Sequence, residues 1–331
     1  MMAAGRRRAC LITGALGVCI LLSACARVPV PSSQLARLPV PPAVELTDTP
    51  FFPQRDYQCG PAALATVLNA RGVPVSPEQL QPLVYLPARK GSLQSEMLVT
   101  PARFGRLGVR ITGKLESLLL ELAAGRPVLV LQNLGRSWLP VWHYAVVIGY
   151  DLDAKQVYLR SGTRKRRVYA LRRFVDSWQR AGYWAMVVVA PGTVPETVNR
   201  TDFLQAVTGL ERQQHHAAAL AAYTAATQRW PDDALAWAGL GNAAFAQGDL
   251  GPAERAYRRA LTVRPAAPLI LNNLALALAK QGCVDTALSA IGCALALRPD
   301  DTALVATRAE IVALPPGGRS CEPVQCPSLT E

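Results

Sequence analysis

Histidine is scarce in this chain: 331 residues hold three, His143, His215 and His216. Chemistry that needs an imidazole must draw on one of two places. His215 and His216 have no cysteine or further histidine near them, so nothing calls for a metal, and no motif calls for another cofactor. Acidic residues are also in deficit, 23 against 35 Lys and Arg, for a formal net charge of +12. A long apolar run is missing. The stretch from Ala9 to Leu22 is too short and wrongly flanked for a membrane-spanning helix, and no ATP-binding cassette or transporter span accompanies it. Charged residues make up only 18% while half the chain is hydrophobic, which excludes a disordered polypeptide. The length allows two domains plus tails.

What is present begins at the N-terminus. Arg6, Arg7 and Arg8 precede the apolar stretch, and Leu22-Ser23-Ala24-Cys25 follows it. A basic start, a short apolar core and small residues before a cut describe a secretory signal peptide over residues 1–24. Leu-Ser-Ala-Cys resembles the lipobox of bacterial lipoproteins. That resemblance implies that Cys25 carries lipid and anchors the mature chain to a membrane. Ala26, in place of Asp, implies delivery to the outer membrane, facing the periplasm. Residues 25–46 then read as a tether, rich in Pro and Ser between Val28 and Pro42. Three positive charges leave with the signal. The remaining excess includes Arg164-Lys165-Arg166-Arg167 and Arg172-Arg173. Such runs suit nucleic acid, which an exported protein rarely meets, or anionic envelope surfaces and substrates, or simply a solvated hairpin.

After Cys59 the pattern becomes helical, with Leu64, Val67 and Leu68 at spacings of three and four. Pro61 suits a first turn and Gly72 a C-terminal cap. Cys59 therefore sits at a helix N-terminus, where unpaired N–H groups and the helix dipole favour a thiolate. His143 opens the β-rich run His143-Tyr144-Ala145-Val146-Val147-Ile148-Gly149-Tyr150-Asp151. A cysteine on a helix start and a histidine on a later strand is the arrangement of cysteine hydrolases. A buried thiol and a core imidazole are the bland alternative.

Gln54-x4-Cys59-Gly60-Pro61-Ala62-Ala63-Leu64 with the His143 strand resembles the double-glycine leader peptidases and their stand-alone relatives. These are papain-like enzymes that process bacteriocin precursors. The resemblance spans roughly residues 50–191 and implies an α+β fold over 47–195. It implies Cys59 as nucleophile, His143 as general base and acid, and Gln54 in the oxyanion hole, with Gln58 as a rival. Relatives hold the imidazole with an aspartate on the following strand. Here Gln156-Val157-Tyr158-Leu159-Arg160-Ser161 puts Ser161 in that place. A serine can orient an imidazole but cannot neutralise an imidazolium. Asp151 and Asp153 read as turn residues. Three functions stay open: a peptidase cutting peptide or isopeptide bonds of an envelope protein, a catalytically degenerate binding scaffold, and the same thiol chemistry used for amide hydrolysis or acyl transfer on a non-protein substrate.

The C-terminal half repeats. Pro231, Pro265 and Pro299 are 34 residues apart, and Ala219, Ala253 and Ala287 keep the same period. Trp237-x2-Leu240-Gly241 opens the middle unit. This resembles tetratricopeptide repeats, each a helix–turn–helix. Three repeats begin near Arg200, Ala234 and Pro268, with a capping helix from Thr302 to Leu314, so an all-α domain is expected over 198–314. It is either a groove for a protein partner or a stabilising appendage. Cys283, Cys293, Cys321 and Cys326 remain. Ten mostly helical residues separate the first two by about 15 Å, too far for a mutual disulfide. Two bridges from that repeat to the tail, residues 315–331, are expected. A local Cys321–Cys326 bridge is the alternative.

Overall fold

The computed structural model describes residues 38–54, 58–315, 319 and 321–327. The signal segment, Cys25 and most of the tether lie outside them. The tether ends earlier than the sequence suggested. Ala43–Glu45 forms a strand, β1, antiparallel to the far end of the histidine strand. Gly149 permits this, because a Cβ there would overlap the Val44 carbonyl.

The first helix, α1, runs Cys59–Asn69 and buries nearly every side chain. Gly72, at φ +73°, then turns the chain. Helix α2 (Pro77–Val84) starts at a reciprocal cap between Ser76 and Gln79. Two short strands, β2 (Tyr85–Leu86) and β3 (Gly91–Ser92), pair antiparallel. Helix α3 (Gln94–Val99), strand β4 (Leu107–Arg110) and helix α4 (Leu115–Ala123) follow.

The most apolar runs make the sheet: β5 (Val128–Asn133), β6 (Trp142–Asp151), β7 (Gln156–Ser161), β8 (Arg164–Ala170) and, after helix α5 (Leu171–Gln179), β9 (Ala185–Val189). Its order is β4-β9-β5-β6-β7-β8, antiparallel throughout. Leu129, Tyr144, Val146 and Ile148 face Leu64, Val67 and Leu68 of α1. The alternate residues of β5 and β6 face the other way. There Gln132 reaches Ser177 of α5 at 2.7 Å. Arg160 of β7 is buried, and its guanidinium donates to the Thr47, Thr49 and Lys165 carbonyls. It fastens the chain leading from β1 to the β7–β8 hairpin.

Seven helices follow: α6 (Arg200–Arg212), α7 (His216–Arg229), α8 (Ala234–Ala246), α9 (Leu250–Val263), α10 (Pro268–Lys280), α11 (Val284–Leu297) and α12 (Thr302–Val312). The first six pair as helix–turn–helix units beginning at Arg200, Ala234 and Pro268. Small residues set the approach of each pair. A Cβ at Gly239 would meet the Tyr223 ring, and one at Gly241 the Tyr257 ring. Cys283, at the start of α11, bonds Cys321 with Cα atoms 5.9 Å apart, and Cys293 bonds Cys326 at 5.2 Å. The tail is thereby held along the third repeat. Among the described residues, no helix is long and apolar enough to cross a membrane.

Candidate active site

Cys59 is the first residue of α1, and among the described residues it is the free cysteine. Its neighbour Gly60 has a physical reason. A side chain there would run into the Ser92 hydroxyl and Cβ, because β3 crosses directly over the helix start. The Ser92 carbonyl in turn accepts from the Tyr144 hydroxyl at 3.2 Å. The cysteine turn is thus wedged between β3 and the beginning of β6.

Burial pushes the Cys59 thiol above its ordinary pKa. Backbone N–H groups of Tyr144, Gly60 and Cys59 itself, which lie toward the sulfur, pull it down by less. The lowering effect exists, but desolvation exceeds it. The same contacts locate the sulfur: it lies against the backbone of the residue next to His143.

His143 Nε2 and Ser161 Oγ are 2.9 Å apart. With the proton on Nε2 the ring donates to the serine, and Nδ1 is left to accept a proton. Burial, aided by the positive charge of Arg167, lowers the imidazole from 6.5 to about 4. Burial thus disfavours the charged form of both the thiol and the imidazole. Asp151 lies at the opposite end of β6, where its carboxylate accepts from the Ala154 N–H at 2.7 Å. It and Asp153 belong to the β6–β7 turn.

The two glutamines part company. Gln54 joins the site, accepting from the Gly162 N–H at 2.9 Å and donating Nε2 to the Tyr144 carbonyl at 3.2 Å. Two anchors fix the amide and, among the described residues, leave one of its N–H bonds unused. Gln58 instead donates to Gln81 of α2 at 3.3 Å. His215 and His216 lie at the turn of the first repeat. There His215 Nε2 is 3.3 Å from the Arg103 carbonyl.

Two surfaces flank the site. The β5–β6 connection is braced by Asn133, whose Oδ1 accepts from the Gly135 and Val141 N–H groups at 3.0 Å. It leaves Trp138, Leu139, Val141 and Trp142 exposed beside His143. On the other side the β7–β8 hairpin carries arginines past Ser161. Sequence reasoning did not single out Tyr144, Ser92 or Gly162 as parts of the site. Each acts through a backbone atom or a fixed contact, which residue type does not advertise. Arg167 was visible only as one member of a basic run.

A cysteine on a helix start, a histidine on an antiparallel strand and a serine holding that histidine define a peptidase-like arrangement in an α+β domain. Residues 46–186 match the model of the Peptidase_C39 like family. Residues 204–251 match a tetratricopeptide repeat model, and residues 241–282 a further TPR repeat model. The chain therefore carries a C39-like peptidase domain followed by an all-helical tetratricopeptide region. Among solved structures it is similar to a chain described as a C39-like peptidase from Bacillus anthracis, at 20% identity and TM-score 0.38, covering 44% of this chain and 97% of that one. It is also similar to a mutant O-GlcNAc transferase of Thermobaculum terrenum, at 25% identity and TM-score 0.33, covering 34% of this chain. The match spans 22% of the transferase's own length. A comparison with curated proteins finds no match.

Proposed function

We propose that this chain is a cysteine peptidase anchored in the cell envelope, with Cys59 as nucleophile and His143 as general base and then acid. It would hydrolyse peptide or isopeptide bonds of a protein held by the repeats, and Cys25 would carry the lipid that fixes it to the outer membrane, facing the periplasm. The observation that carries the reading is the meeting of the Cys59 turn with the start of β6, where Ser161 holds the His143 ring and Gln54 bonds the Tyr144 carbonyl.

The chemistry follows from two neutral partners. Nδ1 of His143 takes the thiol proton as sulfur attacks the carbonyl carbon, and the carbonyl π electrons move to oxygen. The Cys59 N–H and the unused N–H of Gln54 are the donors available to that oxyanion. Collapse re-forms the carbonyl and expels the amine, which takes its proton from the imidazolium. Water, deprotonated by His143, then cleaves the thioester and restores the thiol.

A second reading, a degenerate scaffold, is favoured by one observation: the partner of His143 Nε2 is a serine hydroxyl and not a carboxylate. Envelope proteins incubated with purified wild type or Cys59→Ala, followed by mass-spectrometric search for new N-termini, separate the two. New termini confined to the wild type support the peptidase. Identical termini in both samples reject it.

A further inference from the structure

The arginines of the β7–β8 hairpin are not spread evenly over a solvated surface. The end of β7, the strand β8 and the first turn of α5 enclose a groove of about 750 Å³. It is lined by Ser161, Gly162, Arg164, Arg167, Tyr169 and Arg173, among others. Among the described residues, none of these three arginines has an ion-pair partner. Arg166, their neighbour, shows what a structural arginine does here: it takes Glu45 in a two-pronged pair at 2.7 and 2.9 Å and lies over the Tyr158 ring. Arg167 is held differently. It is stacked on Tyr169 at 4.8 Å, which fixes the guanidinium plane and leaves its N–H donors to be used.

We propose that this groove is a substrate subsite for an acidic peptide segment, one residue, Ser161, away from His143 of the candidate site. The placement in the catalytic path rests on the peptidase reading above; the binding itself does not. Three features point to a peptide carboxylate. The groove has Ser161 in its wall, and Ser161 touches His143, so an occupant is separated from the imidazole by one residue. β8 is the edge of the sheet, the position at which an extended chain adds to a sheet. The apolar side chains Trp138, Leu139 and Trp142 lie across the same end of the sheet and suit the side chains of a polypeptide. Nucleic acid fits less well, because Tyr169, the aromatic ring in the groove wall, already has Arg167 stacked on it. A planar bilayer does not enter a groove.

Charges on an edge strand also deter edge-to-edge pairing. That duty needs charge along β8 alone. It does not account for Arg173, which comes from α5 and converges on the same space. Occupancy also has a chemical consequence. The Arg167 charge opposes protonation of His143. A carboxylate bound at Arg167 cancels that opposition and supplies, from the substrate, the negative charge that Ser161 lacks.

The test uses the full chain carrying Cys59→Ala, which cannot cleave, and the fluorescence anisotropy of a dye-labelled octapeptide rich in Asp and Glu. Its Asn/Gln counterpart, a single-stranded oligonucleotide and anionic phospholipid vesicles are the comparison probes. The acidic peptide is expected to bind tighter than its neutral counterpart. Arg173→Gln should weaken it about ten-fold, and Arg164→Gln with Arg167→Gln further, each ten-fold step being about 1.4 kcal/mol. Arg255→Gln, an equal loss of charge on the repeats, should leave binding unchanged. The proposal is overturned by equal binding of acidic and neutral peptides, by insensitivity to the groove variants, or by tighter groove-dependent binding of the oligonucleotide or the vesicles. Arg173→Gln alone decides the matter should the multiple variant misfold. Absent binding condemns the groove and leaves the peptidase reading standing; binding without cleavage by wild type does the reverse.

Discussion

Ser161 occupies the place where a carboxylate would hold an imidazolium, and its contact with His143 Nε2 at 2.9 Å is a hydrogen bond between neutral partners. Such a bond is worth about 1 kcal/mol. Ser161→Ala is therefore expected to lower kcat about ten-fold or less. Ser161→Asp should hold or raise it, because the new carboxylate favours the imidazolium. Steady-state kinetics on an identified substrate check both, and a loss of several orders of magnitude in Ser161→Ala would give the serine a larger role. His143 also sets a pH dependence of stability. Its folded pKa, about 4, lies below the unfolded 6.5, so the unfolded chain binds more protons in between. This contribution is fully present above pH 6.5 and is lost as pH falls toward 4. The two values differ by enough to be worth about 3 kcal/mol. Denaturation midpoints of wild type should fall over that window, and those of His143→Gln should fall by less. Equal slopes would mean that the imidazole is not held neutral.

At the scale of the element, the site depends on α1 meeting β3 without a side chain between them. Gly60→Ala forces the Ser92 side chain aside and should cost about 1–3 kcal/mol, as overpacking does. Ser92→Gly should recover most of that loss in the double variant, and thermal unfolding of the four proteins measures the coupling. Additive losses would mean that the two residues do not interact. Elements with strong periods could be read without the structure. The alternation of β6, the helical spacing after Cys59 and the 34-residue prolines all report burial on a face. What escaped notice was short or polar. The reciprocal cap of Ser76 and Gln79 starts α2 in a stretch with little apolar pattern, and β2 and β3 have two residues each. β1 escaped because a Pro-rich approach masked three ordinary residues that pair only with a distant strand. Within the site, Cys59 and His143 stood out by type and position, and Gln54 through the family resemblance. The charge state of the pair did not, since it is set by depth of burial, a property of the whole packing rather than of any motif.

The molecule as a whole combines two kinds of stabilisation. The sheet domain buries apolar strands between α1 and the helices of the opposite face. The repeats are finished by a tail that two disulfides hold against the third unit. Those bridges close loops of sequence separation 38 and 33, for which chain entropy gives about 3 kcal/mol or more. Reduction should therefore lower the unfolding temperature of the repeats while the sheet domain keeps its own, as differential scanning calorimetry of the full chain would show. A single transition that shifts as a unit would mean the two parts unfold together. The junction between them includes a polar part. Thr197, just before α6, donates to the buried Glu121, and its carbonyl accepts from the Thr112 N–H at 3.0 Å. The central claim, that Cys59 is a nucleophile activated by His143, is tested most directly by an electrophilic peptidyl vinyl sulfone applied to the full chain, with adducts located by mass spectrometry. The account predicts one adduct, on Cys59, formed at neutral pH by wild type and slowed at least about a hundred-fold in His143→Ala, the lower range for loss of a general base. Alkylation of Cys59 at the same rate in both proteins would contradict it.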